Sequence, residues 1–168
     1  MRLLSPIVVF SAVLVSNPIF AQGQQPPKSA AQNLSADFDY IHNQILVMAK
    51  DFPEGKYGFK LKPEMRSFGE VIVHVASGTV YAAKAGMGEK VKWDELDPKN
   101  YHSKAEIVAL LEKAMADARA AMKQNPEGPT KNLEPFIDVL EHSAEHYGLL
   151  VAYYRANNMV PPASRSNK

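Results

Sequence analysis

Apolar residues recur every three or four positions in four long segments, and this spacing limits the fold more than any other feature of the chain. Such spacing indicates a helix with one buried face, because about 3.6 residues complete each helical turn. It predicts helices at about 30–51, 67–85, 103–124 and 132–156. No segment shows a convincing strand pattern. We therefore predict an all-α protein, a single four-helix bundle over residues 30–160.

Local start and stop signals mark the ends of these segments. The S-x-x-E spacing of a capping box occurs at Ser67–Glu70 and again at Ser103–Glu106. In such a box the serine side chain accepts a backbone N–H and the glutamate reaches back to the serine N–H. The Pro- and Gly-containing stretches at 52–55 and 125–129 predict turns, and Pro161 and the residues after it predict a C-terminal tail over 161–168.

Length and composition are those of one domain with a hydrophobic core. The chain has 168 residues, of which 46% are hydrophobic and 22% charged, and its formal charge is +1. Without a basic block, nucleic-acid binding has no electrostatic support. The absence of cysteine excludes disulfides, a thiol nucleophile, thiolate metal ligands and a cysteine-linked lipid anchor.

The first residues have the pattern of a cleaved signal peptide. Arg2 supplies a positive start, 3–15 is mostly apolar, and Ala21 is the small residue that a signal peptidase prefers. We predict a signal peptide at 1–21, a flexible lead-in at 22–29, and a periplasmic or secreted protein. The alternative is an uncleaved membrane anchor, but polar residues and proline interrupt the apolar run, and a span takes about 20 residues.

Three histidines are predicted on the inner flanks of long helices. His142 and His146 lie four residues apart, so both imidazoles share one helix face, and His74 lies beside the apolar stripe of the second segment. Facing helices of a bundle can bring such residues together as metal ligands. Three imidazoles would leave at least one position open on a zinc-like ion. A buried histidine can also be a hydrogen-bonded core residue, so the spacing alone leaves both roles open.

Two further patterns near these histidines have competing interpretations. Glu70 lies one turn before His74 and is a candidate partner for it, although the capping box favours a capping role. The stretch from His142 to His146 matches H-x-x-E-H, the signature of inverted zinc proteases. We reject that class because Glu145 is predicted to face outward and no Asp or Glu follows it.

Three side chains are candidates for a pocket beside such a metal, namely His42, Tyr147 and Tyr153. At about 100° per residue, the centre of the buried face of the fourth helix is predicted to comprise Phe136, Leu140, Ser143, Tyr147, Leu150 and Tyr154, and its flank Val139, His142, His146 and Tyr153. Because Tyr147 falls in that centre, core packing is its competing role. His42 lies on a helix that must face the same core, and it too has both possibilities. His102 lies just before the third helix, where we expect a solvated loop residue.

Two regions of the chain resemble the DinB-like superfamily. The first comprises Lys56–Phe59, Arg66–Glu70 and His74, and the second comprises His142–Gly148, Leu150-Val151, Tyr153–Arg155 and Val160–Ser164. The similarity extends from about Ala30 to Arg165. The two motif regions carry it, and the third helix contributes little.

The resemblance implies an up-down-down-up four-helix bundle and one divalent metal held by His74, His142 and His146. We expect zinc or nickel, which imidazole ligands suit. Better-understood relatives are metal-dependent enzymes that use low-molecular-weight thiols, such as bacillithiol or mycothiol transferases and isomerases. The predicted signal peptide departs from this pattern, because an exported protein does not meet the cytosolic thiol pool.

Two functions from different classes follow from these observations. One is an exported metal-dependent hydrolase or transferase that acts on an unidentified small molecule. The other is a metal-binding or stress-response bundle without turnover. A general acid or base beside the metal would favour the enzyme. We expect a small-molecule partner and allow for a homodimer, with no nucleic acid and no stable membrane insertion after signal cleavage.

Overall fold

The computed structural model describes residues 29–124 and 132–165. The predicted signal peptide and nearly all of the lead-in lie outside these ranges. The described chain forms four α-helices: α1 (Ala30–Asp51), α2 (Phe68–Gly86), α3 (Lys104–Gln124) and α4 (Glu134–Ala156). Its sole strand-like pairing is an isolated bridge between Lys60 and Ser67, so the all-α prediction is confirmed. None of the described helices has the length and apolar character needed to span a membrane.

Capping side chains start α2 and α3 where the S-x-x-E spacing predicts. Ser67 Oγ accepts the Glu70 N–H at 3.3 Å, and Glu70 Oε2 accepts the Ser67 N–H at 2.5 Å, which completes the box. Ser103 Oγ likewise accepts the Glu106 N–H at 3.2 Å. Glu106, however, accepts the N–H of His102, one residue before the usual partner.

Two clusters of buried side chains lie at opposite ends of the bundle and give the direction of each helix. One contains Leu34, Phe38, Ala82, Ala83, Ala118, Ala121, Phe136 and Val139. The other includes Ile45, Met48, Phe52, Phe68, Val71, Ile107, Leu111, Leu150 and Tyr154. Helices α1 and α4 therefore run from the first cluster to the second, whereas α2 and α3 run the other way. This is the up-down-down-up connectivity that the family resemblance implies.

The parallel pair α2 and α3 pack against each other, and this requires a long connection. Helix α2 has 19 residues and is therefore about 28 Å long. Residues 87–103, here called the crossover, lead the chain back along the length of α2 to the start of α3. The backbone N–H of Leu96 donates to Ser77 Oγ at 3.1 Å, so the middle of the crossover is fastened to the middle of α2.

The buried face of α4 differs in part from its prediction. Phe136, Ser143, Leu150 and Tyr154 are buried as expected. Tyr147, predicted at the centre, is only partly buried. Tyr153, predicted at the flank, is fully buried, as is nearly all of Val139. The helix is rotated toward this flank, and the same rotation places the flanking histidines against α2.

Candidate metal centre

His74 of α2 and His142 and His146 of α4 converge between these two antiparallel helices. One ring nitrogen of each lies within 4.8 Å of those of the other two. Nε2 of His74 and Nε2 of His142 are 2.9 Å apart, and the three ring centroids are separated by 4.5 to 4.7 Å. The three residues singled out by spacing therefore form one group, here called the histidine cluster.

The histidine cluster is partly buried, and burial keeps its imidazoles neutral. Burial lowers the pKa of His142 and of His146 to about 4, and the charges of neighbouring imidazoles and of Arg66 act in the same direction. Burial also lowers the pKa of His74, where the Glu95 carboxylate opposes the shift. At neutral pH each ring thus retains an unprotonated nitrogen, which is the form that binds metal.

Hydrogen bonding separates the histidine cluster from an ordinary core histidine. His42 is fully buried and uses both ring nitrogens: Nδ1 with the Phe38 carbonyl at 2.9 Å, and Nε2 with Thr79 Oγ1 at 3.2 Å and Ser143 Oγ at 3.1 Å.

In contrast, Nδ1 of His142 and Nδ1 of His146 are buried and have no partner among the described residues. An unpaired buried polar group costs about 1–3 kcal/mol. Three neutral imidazoles, two of them incompletely hydrogen-bonded, are a donor set that fits a divalent transition metal.

The three candidate pocket residues lie in or beside the core. His42 packs its ring on Phe38 with centroids 3.8 Å apart. Tyr153 is fully buried, and its hydroxyl donates to the backbone carbonyl of Arg66. Tyr147 packs against the large cluster of buried side chains at the second end of the bundle. The polar groups of His42 and Tyr153 are thus engaged in holding the helices together. His102 is exposed, as expected.

Residues on the crossover complete the surroundings of the histidine cluster, and no periodic pattern identifies them in the sequence. Glu95 Oε1 accepts a hydrogen bond from His74 Nδ1 at 2.9 Å. Both Glu95 oxygens also accept from Arg66 Nη2, at 3.1 and 3.2 Å. The hydrogen-bond partner of His74 is therefore Glu95, whereas Glu70 caps the N-terminus of α2.

Trp93 stands beside the histidine cluster on the same crossover. Its ring centroid lies 5.7 Å from that of His142 and 6.1 Å from that of His74, and the residue is 46% exposed. The ring of Tyr81 on α2 also lies near Trp93, with the two ring centroids 5.5 Å apart. A large exposed tryptophan next to three imidazoles provides an apolar contact surface at this point of the molecule.

Fold and site together define a class: an up-down-down-up four-helix bundle with three histidines converging between its second and fourth helices. The chain belongs to the DinB superfamily, whose family model matches residues 37–153. That range includes the whole histidine cluster and confirms the family resemblance found in the sequence. A comparison with curated proteins gives no significant match.

Proposed function

We propose that this protein binds one divalent transition-metal ion, zinc or nickel, through His74, His142 and His146. The supporting observation is the convergence of three neutral imidazoles within 4.8 Å of one another. Two of them have buried nitrogens without partners among the described residues. A core histidine such as His42 does not show this pattern, because its ring nitrogens are paired. Imidazole nitrogen is a preferred ligand of both metals.

We further propose that the metal centre acts on a small molecule as a hydrolase or transferase. A divalent metal supplies a Lewis acid and lowers the pKa of a water or thiol bound to it. Two features beside the histidine cluster support a ligand at this position. The exposed ring of Trp93 offers an apolar contact, and the Arg66 guanidinium adds positive charge near the histidine cluster.

The alternative is a metal-binding or stress-response bundle without turnover, and one observation favours it. The hydroxyl of Tyr153 and the ring nitrogens of His42 are committed to core hydrogen bonds. Neither group is therefore placed to act as the general acid or base that an enzyme of this kind needs.

Export is part of the proposal, and its support comes from the sequence alone. The basic start, the apolar run and Ala21 favour cleavage before Gln22. When the full chain is expressed in a bacterium, the intact mass of the protein recovered from periplasm or medium should begin at Gln22. Ala21→Arg should block cleavage, since the peptidase site accepts small residues. Full-length wild-type protein confined to the cytoplasm would contradict export.

Metal binding is tested by titrating metal-free protein with zinc or nickel and measuring bound metal by elemental analysis. We expect about one ion per chain. His74→Ala, His142→Ala and His146→Ala should each lose most of it, because two imidazoles form a weaker chelate. His102→Ala is the matched control and should retain the metal, since His102 is exposed. Trp93 is the sole tryptophan of the chain and lies beside the histidine cluster, so a change in its fluorescence is a second measure of metal binding.

The outcomes of this titration are distinct. A wild-type protein that takes up no zinc or nickel would refute the metal proposal. So would four alanine variants that all bind metal equally. To separate enzyme from binding module, cobalt(II) is substituted and its visible spectrum is recorded with added azide or 2-mercaptoethanol. A spectral change shows that an external ligand reaches the metal; an unchanged spectrum favours the non-catalytic alternative.

A further inference from the structure

The crossover is held against the histidine cluster and α2 by contacts from three residues that lie close together in the chain. Trp93 packs beside His74 and His142, Glu95 accepts from His74, and Leu96 donates its N–H to Ser77. Residues 93–96 therefore form a short, fastened stretch within a long connection. Of these contacts, only the one through Glu95 reaches a polar atom of a histidine in the cluster.

The Glu95 contact assigns the hydrogen of His74. Because a carboxylate can only accept, the hydrogen of the neutral ring lies on Nδ1, and Nε2 keeps its lone pair. That Nε2 is the nitrogen lying 2.9 Å from Nε2 of His142. The Nδ1 atoms of His142 and His146 have no such acceptor within the described ranges. His74 is thus the histidine of the cluster whose ring orientation and tautomer are set by a carboxylate.

Arg66 in turn holds Glu95. Its guanidinium contacts both carboxylate oxygens, which restricts the rotation of the carboxylate. The backbone of Arg66 is fixed as well. It immediately precedes Ser67, the N-cap of α2, and its carbonyl accepts the hydroxyl of Tyr153. A chain of contacts therefore runs from the core through Arg66 and Glu95 to His74.

We propose that Glu95 is the positioning residue of the metal centre, fixing the tautomer and orientation of His74 and thereby raising metal affinity. This inference rests on the proposed metal-binding function. A carboxylate that accepts from the far nitrogen of a ligand histidine makes the near nitrogen more basic and holds the ring in place. The competing role is a simple latch, in which Glu95 fastens the crossover and affects stability alone.

Two substitutions separate these roles. Glu95→Gln keeps the shape of the side chain but removes its charge, and Glu95→Ala removes the acceptor. We expect both to weaken zinc binding about 10- to 100-fold, measured by competition with a chelator. In metal-free protein, nitrogen NMR of the histidine rings should show His74 protonated at Nδ1 in the wild type and a mixture of tautomers in Glu95→Ala. Asp94→Ala, an exposed neighbouring acid, is the matched control and should change neither measurement.

The inference fails if the wild type binds zinc and both Glu95 variants bind it equally well, and the proposed function then stands. It also fails if affinity falls while the His74 tautomer is unchanged and the metal-free protein melts at a lower temperature, which is the signature of a latch. If the wild type binds no zinc, the proposed function fails instead. The tautomer measurement then decides, without metal, whether Glu95 positions His74.

Discussion

Among the glycines of the described residues, Gly86 is the position where an added methyl group has least room. A Cβ built on this last residue of α2 would lie 2.2 Å from Cζ and 2.3 Å from Cε2 of Phe136, whose ring is fully buried. An aromatic ring packed in a core cannot yield by that amount without displacing its neighbours. The absence of a side chain at Gly86 is therefore what lets the start of α4 approach the end of α2.

We predict that Gly86→Ala lowers the free energy of unfolding by about 1–3 kcal/mol, the usual cost of overpacking a core. Gly148→Ala is the matched control. Gly148 is also helical. Apart from its chain neighbours and the backbone of its own helix, no atom of the described residues lies within 4 Å of its added Cβ. That substitution should raise stability by up to about 1 kcal/mol through helix propensity. Urea unfolding of the two variants measures both effects, and equal losses would contradict the packing explanation.

Single residues also show which part of the site was predictable. His142 and His146 share a face because residues four apart are neighbours on any helix, and the apolar stripe of α2 placed His74 on an inner flank. Whether each ring is a core residue or a member of an open donor set depends on its hydrogen bonds. Those partners, such as Thr79 and Ser143 around His42, come from other helices and have no local signal.

At the scale of elements, the C-terminal segment is fastened to the end of α1. Pro162–Ser164 form a short 3-10 helix, and Arg165 donates to both oxygens of Asp51 at 2.8 and 2.5 Å. Tyr154 of α4 donates to the same carboxylate at 3.0 Å. The first five residues of the predicted tail are thus part of the folded domain.

This attachment predicts a pH dependence. The hydrogen bonds from Arg165 and Tyr154 hold the pKa of Asp51 below its usual value of 3.8. Because the folded state favours the charged form, the stabilisation is complete above the unfolded-state pKa and is lost as pH falls through the lower folded-state value. Asp51→Asn should therefore lower the urea midpoint at pH 7, and its difference from the wild type should shrink toward pH 3.

The control for this pair is Asp117→Asn. Asp117 accepts from Lys113 one turn away on α3, and both side chains are at least half exposed, so salt and water screen the pair. Its loss should change the urea midpoint little at either pH. If Asp51→Asn behaves in the same way, the C-terminal segment is not held by this contact.

At the scale of the whole molecule, the parallel packing of α2 and α3 makes the length of the crossover essential. Replacing residues 87–103 with a short turn of about four residues should abolish folding, because such a turn cannot span about 28 Å along the bundle. A Gly/Ser linker of the original length is the control and should retain the helical far-UV circular dichroism spectrum. A compact, helical short-turn variant would show that α2 and α3 can pack antiparallel.

The helices of this protein could be predicted from its sequence because the residue patterns that define a helix are local. Apolar spacing, two S-x-x-E boxes and the turn residues each act within a few positions of the chain, and the helices begin and end within two residues of the predicted bounds. The three histidines of the cluster could also be identified from the sequence, since they lie on long helices with periodic apolar spacing. The directions of the helices could be predicted only from the resemblance to a family, because apolar spacing is the same for a helix that runs in either direction.

Packing alone placed the crossover, and with it Glu95 and Trp93, beside the histidines. Glu95 lies 21 residues from its partner His74, in a segment without periodicity, so nothing local relates the two. The parallel order of α2 and α3 forces the chain back along the bundle, and that path takes the carboxylate to the ring. Residues a few positions apart in the sequence determine which face of a helix is buried. The residues that a connection contacts are instead determined by the helices along which it runs.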